Sequence, residues 1–539
     1  MRQAEIGQIY GAIAIATEAV LAAALLCRFS PAPSREESRS AAPWAPELLA
    51  LPRRGIVTVW LSMNRHARTW LGLVSAMSAI AASAAPQEKE VQGPLVPVGF
   101  AREDITPEVP IRLCGYPDRT VEATKVGNPL WARAMAMGSD PADGAGPSQQ
   151  PVVMITVELI GITAEISDAV ADELWHKHGI DRAHVAICAT HVHTGPMIDH
   201  LLSNMFGEPL PADQVARIHR YSEMLTARLK AVAEAALADR RPSRLGWGQG
   251  TVAFATARRK IEGGKWDGFT LNLNGIADRT FPLLRVTGAD GGLRGVFVSY
   301  ACHNTTLLSA DNYIDPDWGG DAARRIEAEH AGSTALVGLG CAGDTDPAPR
   351  GKPGCVAMHG LEVATEVDRL LAMPLAPLGP VTAAEYRRME LPFEHPVTRE
   401  TLAAVPANYG RSAKLTAHRW VERIDAGEPP PTGVPFAIQC WTFGPRLAMV
   451  FLTGEVVSDY SLRLRRELGV ERTWINAYSN DVPCYVASAR MFPEGGYEVD
   501  SSMSYYGWPT RLTPRVEGLI VSEVHGVLPA GWEKNRILP

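Results

Sequence analysis

The sequence predicts an α/β fold in which mixed β-sheets carry flanking helices. Short apolar runs of strand length alternate along the chain with longer segments whose apolar residues recur at helical spacing. Glycines lie close to several of the apolar runs, as is common beside buried strands. Hydrophobic residues form 46% and charged residues 21% of the 539-residue chain, an ordinary composition for a large globular protein. We expect one large domain over residues 97–539.

The first elements of this domain follow directly from the pattern. The apolar run Val152–Ile160 predicts a strand. Helical spacing over Thr163–His178, ended by Gly179, predicts an amphipathic helix. A second strand is predicted over residues 184–193, and a long helix over Gln214–Leu237.

The same alternation continues towards the C-terminus. Strands are predicted at Leu283–Val286, Gly295–Tyr300, Thr334–Leu339, Phe436–Trp441 and Leu447–Leu452. Helices are predicted at Ala322–His330, Ala357–Leu371 and 412–425. The Pro-rich stretch at 374–380 is interpreted as an internal linker.

The N-terminal 85 residues do not fit this pattern. Residues 63–85 have the basic start, short apolar centre and small-residue cleavage site near Ala84 that are typical of a secretory signal peptide. We therefore expect an exported protein, periplasmic or secreted. Residues 1–62 are interpreted as a non-native upstream extension, with translation starting at Met63. The alternative is a true N-terminal anchor helix over Ile9–Leu26.

Charge and cysteine content limit the binding partners and the disulfide bonds that we expect. A net charge of −7 without a Lys/Arg-rich run argues against nucleic-acid binding. No exposed amphipathic helix is evident, so we expect at most peripheral membrane contact. Seven cysteines follow the expected cleavage site, an odd number that leaves at least one thiol free. Cys341 and Cys355 are the one pair that the sequence favours for a disulfide.

Two histidines one residue apart are the strongest chemical signal. His191 and His193 lie at the end of an apolar run and just before Thr194-Gly195-Pro196. If the strand continued to His193, both side chains would point the same way, because strand residues alternate between faces. Paired imidazoles offer two metal ligands, or one ligand and a proton-transfer group.

The segment 189–196, Ala-Thr-His-Val-His-Thr-Gly-Pro, resembles a signature of the neutral/alkaline non-lysosomal ceramidase superfamily. Further segments that resemble this superfamily, in its own order, are 98–107, 130–136, 153–161, 300–303, 340–347, 453–455, Tyr485 and 506–507. The resemblance runs from about residue 97 to the C-terminus. The superfamily's C-terminal β-sandwich is not expected here, because the chain ends soon after Tyr506.

The resemblance implies a zinc-dependent hydrolase with one Zn²⁺ per chain, held by His191, His303, Glu455 and Tyr485. The implied reaction is cleavage of a linear N-acyl amide, possibly in a lipid, by a zinc-bound hydroxide. His193 would face the substrate, and Tyr497 would donate to the oxyanion or the leaving group. Arg258 would contact the reacting carbonyl, although its neighbour Arg259 is almost as well placed.

One position departs from the superfamily. Its ceramidases carry a serine before the proline of the segment 343–347, where this chain has Asp346. A serine nucleophile is thereby excluded, and long-chain ceramide becomes a doubtful substrate. Asp344 or Asp346 would orient water or a ligand imidazole, but a simple Asx turn explains Asp346 equally well.

Two other classes of function stay open at this point. The same site could serve a zinc-dependent esterase or phosphoesterase, with a second metal taken by Asp317, Asp321, Asp344 or Asp346. The chain could also be a non-catalytic surface-binding protein that keeps the fold.

Overall fold

A computed structural model describes residues 93–140, 150–405 and 410–532. The predicted upstream extension, 1–62, and signal peptide, 63–85, lie outside the described residues. None of the helices in the described ranges is both long and apolar enough to cross a bilayer.

The described residues form a mixed α/β structure, which confirms the predicted class. The strands are β1 Val96–Asp104, β2 Trp131–Met137, β3 Val152–Val157, β4 Val185–Ala189, β5 Arg241–Thr251, β6 Ala255–Glu262, β7 Lys265–Asn272, β8 Thr280–Gly288, β9 Leu293–Tyr300, β10 Thr334–Leu339, β11 Thr345–Pro347, β12 Ala376–Leu378, β13 Ala383–Pro392, β14 Gly433–Phe443, β15 Leu447–Leu452, β16 Glu455–Val456, β17 Thr473–Asn476 and β18 Tyr485–Val486. The helices are α1 Ala164–His178, α2 Ala212–Ala238, α3 Asp317–Glu329, α4 Pro353–Leu371, α5 Arg399–Ala403, α6 Arg411–Asp425, α7 Ser458–Leu468 and α8 Val516–Gly526. After Tyr506 the described residues add only α8 as a regular element.

The largest sheet has nine strands in the order β10-β9-β8-β5-β1-β2-β3-β4, with β12 paired to β5. β3 and β4 are parallel, as are β9 and β10, and the other neighbours in this sheet are antiparallel. Parallel and antiparallel pairs therefore occur side by side, as a mixed sheet requires.

This sheet is covered on both faces. Helices α1 to α4 pack on one face through alternate strand residues such as Val153 and Val298. The opposite residues, such as Met154 and Phe297, pack against the four-stranded sheet β13-β14-β15-β17. There the ring of Phe297 stacks on Trp474 with centroids 4.8 Å apart. Burial of such side chains contributes roughly 1.5–3 kcal/mol each, so this layer fixes the two sheets firmly together.

Two predictions about local structure are wrong. The Pro-rich stretch at 374–380 is not a free linker, because β12 pairs antiparallel with β5 at the register Leu378↔Leu245. Its proline is tolerated since β12 is a short strand at the edge of the ladder. Cys341 is buried and Cys355 lies in α4, and neither forms a disulfide.

Candidate metal centre and active site

The His191/His193 pair is placed by an irregular segment rather than by a strand. β4 ends at Ala189, and His191 has a φ of 56°, in the left-handed region. Such a conformation costs about 1–3 kcal/mol for a residue with a side chain, and it occurs most often at functional sites. The expectation of a strand to residue 193 is therefore wrong. The two imidazoles nevertheless meet, with their Nε2 atoms 3.1 Å apart.

His303 arrives from a different part of the main sheet. It follows β9, and its backbone N–H donates to the carbonyl of Thr345. The Trp318 indole N–H donates to the His303 carbonyl at 2.9 Å, so the backbone is held on both sides. The ligand nitrogens of His191, His193 and His303 lie within 4.8 Å of one another, in a buried group that could hold a metal ion.

Glu455 and Tyr485 are brought together by a small parallel ladder. They are register partners at the first positions of β16 and β18. The carboxylate Oε2 of Glu455 lies 3.0 Å from His191 Nε2 and 3.2 Å from His303 Nε2. The Tyr485 hydroxyl lies 3.2 Å from His303 Nε2. Four residues far apart in sequence thus direct polar atoms at one point.

The spacing of these atoms fits a tetrahedral metal. Zinc–ligand bonds of about 2.0–2.1 Å place neighbouring ligands about 3.3 Å apart, close to the observed 3.0–3.2 Å. His191 Nδ1 donates to the carbonyl of Ile160 at 2.5 Å, and His303 Nδ1 to that of Ala342 at 2.8 Å. Such outer bonds fix a ligand tautomer so that Nε2 carries the free lone pair. The donor set therefore fits zinc.

Two tyrosines that the sequence reasoning left without a role contact the Glu455 carboxylate. The Tyr506 hydroxyl donates to Oε1, and the Tyr478 hydroxyl donates to Oε2 at 3.4 Å. Burial by itself would raise the pKa of Glu455, but His191 and His303 outweigh burial and hold that pKa well below its ordinary value. Glu455 is accordingly a carboxylate within the cluster.

The structure separates Arg258 from Arg259. These neighbours lie on β6 where its register with β7 is irregular, and both pair with the carboxylate of Glu498, but their other contacts differ. Nη1 of Arg258 lies 3.3 Å from His303 Nε2, and Nη2 donates to the Tyr485 hydroxyl at 3.2 Å. Arg259 instead bonds Glu494 at 3.0 Å and Gly495 O at 2.8 Å, away from the histidines. Only Arg258 reaches the metal centre.

The carboxylate of Asp346 lies beside the Arg258 Nη1 atom that faces His303. It is 3.4 Å from Arg258 Nη1 and accepts a hydrogen bond from Thr305 Oγ1 at 3.2 Å. Its other oxygen pairs with Arg350 at 2.7 Å. Burial acts to raise the pKa of Asp346, but Arg258 and Arg350 lower it more. Asp346 thus holds Arg258 in place, and both its oxygens are engaged.

Asp344 points elsewhere. Its Oδ1 accepts hydrogen bonds from the backbone N–H and the hydroxyl of Ser458, each at 2.8 Å. These bonds secure the start of α7, where backbone N–H groups lack partners within the helix. Burial raises the pKa of Asp344 to about 6. The structure therefore gives this residue a place at the helix terminus, not the expected contact with a ligand imidazole.

Tyr497 stands beside the metal centre. Its ring centroid is 5.2 Å from that of Tyr485, and the Arg258 guanidinium lies 5.6 Å from it. Phe269, on the edge strand β7, packs against its other side at 5.1 Å. The Tyr497 hydroxyl makes no hydrogen bond to another residue in the described ranges, so it is free to meet a substrate.

The structure also contains a cavity of about 700 Å³, which is lined by residues that include Tyr505. Its wall includes the six-residue 3₁₀ helix Ser501–Tyr506, from which Met503 and Tyr505 line the cavity while Tyr506 reaches Glu455. Pro117, beside Tyr116, lines the same space. Further apolar side chains that line the cavity are Met205, Phe206, Val397, Leu402, Val405 and Trp508. None of the residues that line the cavity belongs to the metal centre, and the two are linked along the chain through Tyr505 and Tyr506.

The fold and the site together define a mixed α/β protein with a buried histidine–carboxylate–tyrosine centre. Residues 97–360 match the N-terminal domain of the neutral/alkaline non-lysosomal ceramidases. Residues 97–360 thus carry the N-terminal domain of this family of hydrolases.

Two solved structures support the same fold. A neutral ceramidase from Pseudomonas aeruginosa superposes with a TM-score of 0.61 at 18% identity, covering 83% of this chain and 76% of that one. A ceramidase complexed with C2 gives 0.60 at 18% identity, covering 80% and 74%. At such identities the likeness shows the fold alone. No curated protein sequence matches the chain at a significant level.

Proposed function

We propose that this protein is an exported, zinc-dependent amidohydrolase that cleaves linear N-acyl amides with an apolar chain. The observation that carries the proposal is the buried cluster in which His191, His303, Glu455 and Tyr485 direct their polar atoms to one point. The family match makes hydrolysis the expected chemistry. The amide and the apolar chain are inferred from the site.

A zinc ion held by these four residues supplies an activated water at neutral pH when bound. The chain's own residues supply what else amide hydrolysis requires. Arg258, held by Glu498 at 3.0 Å and by Asp346, places a fixed positive charge at the edge of the centre. There it stabilises the carbonyl oxygen as negative charge develops on it.

We assign proton transfer to His193 and Tyr497, which lie beside the centre and are not among its four metal ligands. His193 presents Nε2 to the cluster, 3.1 Å from His191 Nε2, and exchanges a proton with the substrate there. Tyr497 offers an unbonded hydroxyl as donor to the leaving amine or the oxyanion. Asp346 acts by orienting Arg258, since its oxygens are engaged by Arg258, Thr305 and Arg350.

A two-metal phosphoesterase finds less support. Such enzymes need a second group of ligands about 3.5–4 Å from the first ion. Among the described residues the candidate carboxylates are used separately: Asp317 bonds the Leu307 and Trp318 backbone, and Asp321 pairs with Arg324 and Arg325. Asp344 bonds Ser458, as described above. These contacts favour a single metal.

The cavity indicates an amphiphilic substrate. Its volume lies within the range of roughly 300–1,000 Å³ that is usual for small-molecule sites, and Tyr505, which lines it, directly precedes Tyr506, which bonds Glu455. We infer that the apolar chain of the substrate enters this cavity while the amide lies at the cluster. Each methylene of an apolar chain that is buried in such a cavity contributes about 0.8 kcal/mol to the binding free energy.

Filling the cavity with a larger side chain is expected to shift the substrate preference towards shorter acyl chains. Ala403 and Ala404 are both exposed, but only Ala404 lines the cavity. For Ala404→Trp we expect kcat/KM to fall about tenfold or more with long-chain N-acyl amides and to stay unchanged with N-acetyl ones. Ala403→Trp, the matched control, should match the wild type throughout. The measurement is kcat/KM for a series of N-acyl amides of increasing chain length. Ester and phosphomonoester analogues are assayed in parallel.

Equal losses for short and long chains in Ala404→Trp would contradict the assignment of the cavity. A wild type that hydrolyses the esters or phosphomonoesters but none of the amides would contradict the proposed reaction itself.

Export is proposed from the pattern at 63–85 and has its own test. The mature N-terminus of protein expressed from Met63 should lie near Ala84, and mass spectrometry of the purified protein measures it. Ala84→Phe, which fills the small-residue cleavage position, should leave the precursor unprocessed. In protein expressed from the full 539-residue sequence, a mature N-terminus upstream of Met63 would contradict the proposed start.

A further inference from the structure

The three histidines of the centre are held in two different ways. His191 and His303 each donate Nδ1–H to a backbone carbonyl, as described above. The Nδ1 atom of His193 is equally buried but has no hydrogen-bond partner among the described residues. The orientation of the His193 ring is therefore not fixed by a hydrogen bond at Nδ1, and packing contacts must fix it instead.

The segment Cys114–Arg119 packs against that outer side. Gly115 has a φ of 108°, and a Cβ added to it would lie 2.6 Å from Cγ and Nδ1 of His193. The Tyr116 ring meets the imidazole edge-on with centroids 5.1 Å apart. Tyr116 is itself fixed by a hydrogen bond from its hydroxyl to the Leu307 carbonyl at 2.8 Å. The His193 ring thus lies in a slot made by backbone and a tethered ring.

Arg119 closes this slot. Its guanidinium is buried, with 4% of the residue exposed, and it donates to the backbone carbonyl of His193. It also donates to the carbonyls of Cys114 at 3.3 Å, Ser309 at 3.2 Å and Asp311 at 3.2 Å. No carboxylate lies within ion-pair distance of Arg119 in the described ranges. The cation therefore joins three separate backbone segments at the histidine.

A desolvated cation is costly to bury unless its donors are all used. Arginine has five N–H donors in a fixed planar fork, whereas lysine has three on a flexible stem. Only the fork reaches carbonyls on both sides of the slot at once. The Arg119 guanidinium also lies 4.8 Å from the centre of the Tyr116 ring, which ties the two residues together.

We propose that Cys114–Arg119 is a positioning segment for His193, and that Arg119 is its central positioning residue. Arg119 acts through the His193 backbone, and Gly115 and Tyr116 act on the ring. The proposal rests on the proposed function only in its kinetic readout. Its structural content is that the orientation of the imidazole depends on Arg119.

The test compares Arg119→Lys with Arg472→Lys. Arg472 is a matched control, since it too is a buried arginine bonded to backbone carbonyls, those of Leu468 and Trp532, and it packs over an aromatic ring far from the centre. Both variants should lose stability. Only Arg119→Lys should also lose kcat, by roughly a hundredfold for a misplaced proton-transfer group, with KM and zinc content unchanged.

A double variant shows whether the effect passes through His193. If it does, Arg119→Lys combined with His193→Ala should be no slower than His193→Ala alone, because coupled residues are not additive. Gly115→Ala provides a second route to the same slot. Its control is Gly179→Ala, which strains a similar positive φ of 67° in open space. Gly115→Ala should lower kcat, and Gly179→Ala should not.

Two results would overturn the proposal: an unchanged kcat in Arg119→Lys, or losses that add in the double variant. If the wild type shows no amidase turnover, the proposed reaction fails, and a crystal structure of Arg119→Lys decides the positioning role. A His193 imidazole displaced relative to the wild type supports that role, and an unmoved imidazole overturns it.

Discussion

Replacing His191 or His303 with alanine is expected to remove zinc from the protein and to reduce amidase activity to background. Each imidazole presents Nε2 to the Glu455 carboxylate at 3.0–3.2 Å. Its loss leaves only three protein ligands for the zinc ion, too few to hold the ion tightly in this buried site. Without the zinc, the buried carboxylate of Glu455 is also left poorly compensated, so both variants should be less stable than the wild type. Elemental analysis and turnover of the purified variants measure both effects.

His359→Ala is the matched control for these variants. His359 is fully buried and stacks on Phe254 with centroids 4.2 Å apart, but it is not part of the cluster. This variant should be destabilised and still carry its zinc. Undiminished zinc in His191→Ala or His303→Ala would show that the ligand assignment is wrong.

Tyr497→Phe is expected to keep zinc and lose turnover by roughly a hundredfold to ten-thousandfold, the range for a removed proton or oxyanion donor. The substitution deletes only a hydroxyl that has no partner among the described residues, so packing against Phe269 and Tyr485 is retained. Folding should therefore be unaffected, and the unfolding temperature of the variant should equal that of the wild type.

Tyr221→Phe is the control for a lost tyrosine hydroxyl. Tyr221 is buried in α2, and its hydroxyl donates to the Ile105 carbonyl at 2.9 Å. It should lose about 1 kcal/mol of stability with its hydrogen bond and keep full turnover. Full activity in zinc-loaded Tyr497→Phe would remove this residue from the mechanism.

The fold class and most of the elements were predictable because apolar periodicity is a local signal. α1 begins after Thr163 and ends at Gly179, in agreement with the sequence pattern. β10 and β15 have the predicted bounds. The β6–β7 hairpin was not predicted, since its residues are largely polar or exposed and follow no strong period.

The histidine pair shows where a local argument fails. Strand alternation predicted two side chains on one face, whereas the strand ends at Ala189 and His191 turns through a left-handed conformation. The imidazoles still meet because backbone bonds to the Val157 and Leu159 carbonyls, from Thr190 and Val192, fix that turn. Such bonds come from another strand and leave no trace in the local sequence.

Other residues of the site depend on contacts that a sequence does not display. The sequence does not distinguish Arg258 from its neighbour Arg259, because only the folded strand shows which of them reaches the centre. Arg119 bonds only backbone carbonyls, so no partner side chain signals its role. Tyr506 lies within a segment that resembles the family, yet its contact with Glu455 emerges only from the packing of the 3₁₀ turn.

Zinc titration of the metal-free protein tests the central claim most directly. Protein stripped by a chelator should be inactive on an N-acyl amide, and activity should return in proportion to added zinc, with a break at one equivalent per chain. A single break is what one centre built from His191, His303, Glu455 and Tyr485 predicts. Activity that is independent of zinc, or that needs two equivalents, would contradict this account of the site.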